Sequence, residues 1–200
     1  MGEQAQYSES KKQLFYNLYK DKALVEMLNK ISFPESYERN ISEMAYGYET
    51  RDFLDYGCGN GMLEHQLPFY VNKYDPFVEK YSIPPKPADI VICVNVLQCI
   101  EKQYIDSVLN DIASLMKRAA FFVVDTCKSG IMVNGNEDMY CTTMNTDFWC
   151  FQLLKHFSIR KLSHDGKVVQ AICEPLRESK EDILQDIQSF HLHKSNGGAK

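Results

Sequence analysis

The sequence predicts an α/β fold: an open, mostly parallel, doubly wound sheet that ends in an antiparallel hairpin and carries an N-terminal helical cap. Three observations predict it. Between residues 51 and 157, short apolar runs alternate with amphipathic stretches, and strands that alternate with helices require a parallel sheet. One run, Ala88 to Val96, is almost continuously apolar, the pattern of a strand buried on both faces. Near the end, the strand-like stretches Ser158 to Ser163 and Lys167 to Cys173 flank Asp165-Gly166. That dipeptide is a strong signal for a two-residue type I′ turn, in which both positions take positive φ.

The elements follow in order. Leu14, Leu18, Leu24, Met27 and Leu28 recur at near-helical spacing among Lys and Glu, so the first fifty residues read as helical. Pro34 interrupts them, and a second short helix starts from Glu35. Phe53-Leu54 leads a strand into the glycine cluster at 57–61, and Met62 to Leu67 opens a helix that Pro68 ends. Tyr70 to Tyr74 is a second short strand. Lys80 to Ile83 is all that remains for a third before Pro84, Pro85 and Pro87. Residues 101–118 place Tyr104, Ile105, Val108, Leu109, Ile112 and Leu115 on one helical stripe. Ala119 to Val124 is a buried strand, and Thr146 to Phe157 is helical. Residues 181–192 carry Ile183, Leu184, Ile187 and Phe190 in helical register, and the tail from Ser195 is loose. The chain thus divides into a cap (1–50), a central domain (51–175) and a C-terminal helix with its tail (176–200).

Composition narrows the function classes. Two hundred residues with 44% hydrophobic and 24% charged side chains make about one globular domain. The longest apolar run, Ala119 to Val124, is far short of the roughly 20 residues that span a bilayer. The first dozen residues have no apolar signal core, and Ser8 stands where the myristoylation pattern needs position 6. Net charge is −5, which weighs against bulk nucleic-acid binding, because that affinity comes from neutralising phosphates. Seven scattered cysteines without a C-x-x-C pair read as reduced thiols of a cytoplasmic protein. His191 and His193 form H-x-H in the tail, a poor metal site without a third ligand.

The strongest motif is Asp55-Tyr56-Gly57-Cys58-Gly59-Asn60-Gly61, placed between a strand and a helix. Glycines let the chain turn sharply and bring backbone N–H groups against a ligand. A turn alone needs one glycine, and here there are three. The spacing is G-x-G-x-G, whereas a dinucleotide loop runs G-x-G-x-x-G and position 63 is Leu. Asp75 ends the second strand, 18 residues after Gly57, where a carboxylate can accept from ribose hydroxyls. The alternative is a surface acid that opens an Asp-Pro turn.

These residues together resemble the S-adenosylmethionine-dependent methyltransferases of the Rossmann-like, seven-stranded class, over residues 51–175. The resemblance implies that S-adenosylmethionine is the cofactor. Its site would be formed by Asp55, Gly57, Gly59, Gly61, Asp75, Pro76 against the adenine, and Asn95. The fourth strand of many such enzymes ends near D-V-L-E-H-I, and here Asn95-Val96-Leu97-Gln98-Cys99-Ile100 stands instead. All three ionisable groups are absent, so acid–base chemistry does not carry over to this loop.

Methyl transfer from a sulfonium is an in-line displacement that asks the protein to align a nucleophile and exclude water. A base is needed only if the nucleophile must lose a proton. No [D/N]-P-P-[F/Y] or Pro-Cys follows the fourth strand, which disfavours amino-group methylation of adenine or glutamine and C5 methylation of cytosine. The methyl acceptor is expected to be a small molecule or a protein side chain rather than nucleic acid. Gln98, Asp125 and Trp149 are the candidate substrate-side residues. Asp125 ends the fifth strand, where ligands of open α/β sheets bind. Residues 129–149 hold Met132, Met139, Tyr140, Met144, Phe148 and Trp149 in a long connection, and Phe15, Tyr16 and Tyr19 of the cap are placed to cover the cofactor. The rival is a non-catalytic Rossmann-like subunit that binds the cofactor, or has lost it, and serves as a partner's scaffold, with its methyl-side space filled and its stripe Ile183, Leu184, Ile187 and Phe190 meeting the partner.

Overall fold

The computed structural model describes residues 7–28, 33–133 and 137–176. Six strands form one sheet: β1 (Phe53–Tyr56), β2 (Asn72–Tyr74), β3 (Ala88–Val94), β4 (Met116–Asp125), β7 (Phe157–His164) and β8 (Val168–Pro175). Their order is β2-β1-β3-β4-β8-β7. The first four are parallel, and at one edge β8 runs antiparallel to both of its neighbours, β4 and β7. Two-residue strands β5 (Met132–Val133) and β6 (Glu137–Asp138) form a separate ribbon. The α/β sheet ending in a hairpin is the predicted architecture.

Alternation along the strands explains why both faces are buried. On β1 and β3, Leu54, Tyr56, Val91 and Cys93 face one core, and Phe53, Ile90 and Ile92 face the other. Side chains alternate between the faces of a strand, so every position of these central strands must be apolar or functional. The first core is covered by α4 (Ile105–Leu115) through Ile105, Val108, Leu109 and Ile112. It is also covered by α5 (Thr146–Leu154) through Trp149 and Leu153. Asn145 caps α5 by accepting from the Phe148 N–H at 3.0 Å.

The second core is covered differently. The helix expected at Met62 to Leu67 is a single 3-10 turn, Leu63–Gln66. Pro68 follows too soon for a longer helix, and the Glu64–Lys73 ion pair ties the turn down to β2. The stretch Lys80 to Ile83 forms no strand. It holds part of a 3-10 turn, Glu79–Tyr81, and β2 is the sheet edge. The missing cover comes from the N-terminal side, where α3 (Glu35–Gly47) lays Tyr37, Ile41 and Met44 against Phe53, Ile92, Phe121 and Val123. Before it, α1 (Glu9–Lys20) and α2 (Lys22–Leu28) follow one another with only Asp21 between them. Ser8 caps α1 by accepting from the Lys11 N–H.

Other boundaries shift for local reasons. The strand expected to run to Val96 stops at Val94, because Asn95 takes φ +58° and turns the chain. The helix expected over 101–118 ends at Leu115, and β4 begins at Met116. The hairpin is not a type I′ turn, since among its two central residues only Gly166 has positive φ. Asp165 organises it instead, with Oδ1 accepting from the N–H groups of Lys167 and Val168, both at 2.8 Å. The expected helix at 181–192, its stripe Ile183, Leu184, Ile187 and Phe190, and His191 and His193 lie outside the described residues. Among the described residues no helix is long and apolar enough to cross a membrane. All seven cysteines carry free thiols.

Because α3 replaces a crossover helix, its central contact should be costly to lose. Ile41 is fully buried, so Ile41→Ala should cost about 2–5 kcal/mol. Leu162→Ala, at an exposed position of the edge strand, should change stability by no more than about 0.5 kcal/mol. Urea denaturation of the two variants checks both values.

Candidate functional site

The chain crosses from β1 to β2 on one side and then back to β3 on the other, so strand order reverses beside β1. Ligands of open α/β sheets bind at that reversal, outside the carboxyl ends of the strands. A cavity of about 180 Å³ opens there. Its walls include Gly57, Cys58 and Gly59 after β1, Asp75, Pro76 and Phe77 after β2, and Asn95, Val96 and Cys99 after β3.

The glycine loop and the end of β2 form one hydrogen-bonded unit. The N–H groups of Gly57 and Cys58 both donate to the Tyr74 carbonyl, at 2.7 and 3.1 Å. The Gly59 N–H donates to Asp75 Oδ2 at 3.0 Å, and the Phe77 N–H donates to Asp75 Oδ1 at 2.9 Å. The Gly61 N–H closes the turn on the Cys58 carbonyl. Gly57 has φ +77°, and a Cβ there would lie 2.4 Å from Cγ2 of Val96. A side chain at 57 is therefore excluded both by backbone conformation and by the loop after β3.

Two buried carboxyls lie under this loop. Asp55 and Asp75 are each 4% exposed. Burial, with the charge of Asp75 adding to it, pushes Asp55 up to about 7, and Lys73 opposes the rise. Asp75 is also raised by burial, against the hydrogen bonds from Phe77, Gly59 and Tyr19 that favour its charged form. Desolvation thus outweighs the nearby donors at both acids. Asp55 does not line the cavity; it sits on β1 paired with Lys73 of β2 and Ile92 of β3.

On the far side of the strand ends the structure sorts the expected substrate residues. Asp125 ends β4 and accepts from the Tyr140 hydroxyl at 2.8 Å, and it is Tyr140 that lines the cavity. Tyr140 is fixed through its own N–H on Asp138, which also gathers Ser129 and Gly130. Burial raises the Tyr140 phenol. Gln98 is fully buried rather than exposed to a substrate. Its Nε2 donates to Asn95 Oδ1 at 3.4 Å, and its Oε1 has no partner among the described residues. Trp149 is corrected more strongly. It is fully buried in the core beneath α5, away from the cavity, because α5 has to cover the sheet and Trp149 is its largest apolar side chain.

Of the expected cofactor residues, Gly57, Gly59, Asp75, Pro76 and Asn95 line the cavity, while Asp55 and Gly61 stand behind it. Met139 and Tyr140 of the long connection and Phe15 and Tyr19 of α1 reach it, as the aromatic and Met content of those segments suggested. Tyr7, Tyr56 and Phe77 line it too and carried no sequence signal: Tyr7 lies in a polar stretch, and Tyr56 and Phe77 read as flanks of the two acids.

No protein-family model matches this sequence, and no curated protein matches it. Solved structures do. Magnesium protoporphyrin IX methyltransferase (ChlM) from Synechocystis PCC 6803, with bound SAH, aligns at TM-score 0.57 and 12% identity, over 82% of this chain and all of that one. The Burkholderia thailandensis 1,6-didemethyltoxoflavin-N1-methyltransferase, with bound 1,6-didemethyltoxoflavin and S-adenosylhomocysteine, aligns at 0.54 and 16%, over 83% and 87%. The fold is the one these methyltransferases share. TnmH aligns at 0.51 and 15% over 80% of this chain, which spans only 60% of TnmH. The predicted resemblance therefore holds for the fold, with six sheet strands among the described residues rather than seven.

The raised Asp55 has a consequence for stability. Folding keeps it protonated to about pH 7, whereas the unfolded chain loses that proton near 3.8. Between those values the native state holds more protons, so Asp55 subtracts stability as pH rises. From pH 5 to pH 8 the ligand-free wild type should lose about 2–3 kcal/mol more than Asp55→Asn. Urea denaturation at the two pH values measures this, and equal losses would show that Asp55 ionises normally.

Proposed function

We propose that the protein is an S-adenosylmethionine-dependent methyltransferase acting on a small molecule. The observation that carries the reading is the joining of the glycine loop to Asp75 by the Gly59 N–H, at the strand-order reversal and on the wall of an open cavity. The residues present fit that cofactor. Gly57 and Gly59 put bare backbone on the cavity wall, and Asp75 offers a buried carboxylate to hydroxyl donors. Asp55 supplies a second acid behind the loop, whose proton a cationic ligand would draw off. The cofactor, when bound, supplies an electrophilic methyl group on a sulfonium.

The chain's own part is binding, orientation and exclusion of water. Pro76 and Phe77 offer an apolar surface next to Asp75 for a planar base. Asn95, turned into the left-handed region, presents an amide that both donates and accepts. Tyr140 stands on the acceptor side with its hydroxyl directed to Asp125. An acceptor hydroxyl held at Tyr140 can pass its proton to the phenol oxygen as the phenol proton moves to Asp125. The small-molecule reading is supported by the neighbours, two of which are named for low-molecular-weight acceptors. It is supported also by the net charge of −5. The open cavity lined by Met139 and Tyr140 favours a ligand-binding protein over a scaffold, which would fill that space.

Calorimetric titration tests the cofactor. S-adenosylhomocysteine and S-adenosylmethionine should bind saturably and NAD should not; saturable NAD binding with no sulfonium binding would overturn the reading. Asp75→Ala should weaken S-adenosylhomocysteine by roughly ten- to a hundredfold, the worth of charge-assisted hydrogen bonds of about 1.5–3 kcal/mol. An unchanged Kd would remove Asp75 from the site.

A further inference from the structure

Helix α1 lies on the cofactor side of the cavity, and its contacts converge on Asp75. Phe15 stacks on Phe77 with ring centroids 5.1 Å apart, and Tyr7, just before the helix, meets Phe77 edge-on at 4.8 Å. The Tyr16 hydroxyl donates to the Pro76 carbonyl at 3.4 Å. At the far end, Lys11 pairs with Glu137 at 2.8 Å and the Ser8 N–H donates to Glu101 at 2.9 Å. The helix is therefore tied to the wall after β2 and to the loops on the other side of the cavity.

At the centre stands Tyr19. Its hydroxyl donates to Asp75 Oδ2 at 3.4 Å, and it sits 3.1 Å from where a Cβ on Gly59 would be. Each carboxylate oxygen accepts about two hydrogen bonds. Oδ2 already has two, from the Gly59 N–H and the Tyr19 hydroxyl, and Oδ1 has one, from the Phe77 N–H. A pair of neighbouring hydroxyls needs one position on each oxygen. Among the described residues nothing else donates to Oδ1. The position on Oδ2 is held by the only one of these donors that belongs to a side chain, since the backbone donors are fixed by the loop and the turn.

The geometry points to Tyr19 as a built-in stand-in for one ribose hydroxyl, so that a cofactor engaging Asp75 with both hydroxyls must displace it and α1 gates the site. This rests on the cofactor reading above. It gives α1 two states: latched on Asp75 in the free protein, and released from it, with Tyr19 moved aside, once the diol is bound. The two states differ in one exchangeable hydrogen bond, while the Phe15–Phe77 stack keeps the helix near the site in both.

The test uses the full chain with S-adenosylhomocysteine as probe. Tyr19→Phe keeps the ring and removes only the hydroxyl, so thermal melting of the free protein should fall by only the few degrees that one weak hydrogen bond is worth. Calorimetry should show the variant binding about three- to tenfold more tightly, as expected when a weak competing hydrogen bond is removed from the free state. Surface plasmon resonance should place that gain in the association rate, with dissociation unchanged, because the lost contact exists only before binding. If Tyr19 instead touches the bound ligand, the variant will dissociate faster and bind more weakly, and the gate is wrong. An unchanged Kd also overturns it. Failure of the wild type to bind the probe at all would overturn the cofactor reading, and the gate with it.

Discussion

The site depends on one buried carboxylate. Asp75 accepts from the Gly59 N–H on one oxygen and the Phe77 N–H on the other, so a single side chain fixes both the loop after β1 and the turn after β2. Backbone donors in a buried loop must find acceptors. With no long helix following the glycines to absorb them, Tyr74 and Asp75 take that role. The cost is a carboxylate held out of water, visible in its upward displacement despite three donors. The arrangement leaves an acid under tension beside an open cavity, which is where ligand-binding groups are commonly found.

The same economy shapes the layers. An open α/β sheet needs cover on both faces. Here one face has the ordinary crossover helices α4 and α5, while the other is covered by α3, a helix that precedes the sheet in the chain. The polar ties around α3 reinforce this placement. Tyr48 donates to Glu174 at 2.8 Å, and Asn40 bonds both Gln170 and Lys161. The N-terminal segment thus contributes to the core through α3 and to the cavity through α1.

Much of this was legible in the sequence because it rests on local patterns. The parallel strands announced themselves through Ala88 to Val94 and Ala119 to Val124, where burial on both faces removes polar residues. Gly57, Gly59 and Asp75 were legible because few residue types suit a tight loop and a strand end that opens on a cavity. What the sequence hid was set by tertiary context. The stretch Met62 to Leu67 has helical composition, yet the Glu64–Lys73 tie and Pro68 leave it one turn. Trp149 looked like a pocket residue because large aromatics in a long connection suit either a lid or a core, and only the docking of α5 decides between them. Asp125 reaches the site through Tyr140, a relation between residues that no spacing rule encodes.

The connection between β1 and β2, whose one helical element is the 3-10 turn Leu63–Gln66, also bears on how the chain folds. Leu54 pairs with Asn72 and Tyr56 with Tyr74, a parallel pairing closed without a full crossover helix. Within the six-stranded sheet and the edge hairpin apart, the other strand pairings bridge longer separations, as where Phe121 meets Ile172. Loop-closure entropy grows with the length enclosed, and contacts close in sequence form sooner than distant ones. The glycine loop and Asp75 therefore belong to the part of the parallel sheet that pays least to assemble. The loop-to-Asp75 unit closes a shorter stretch of chain than the β4–β8 seam does, so its loop-closure cost is the smaller of the two.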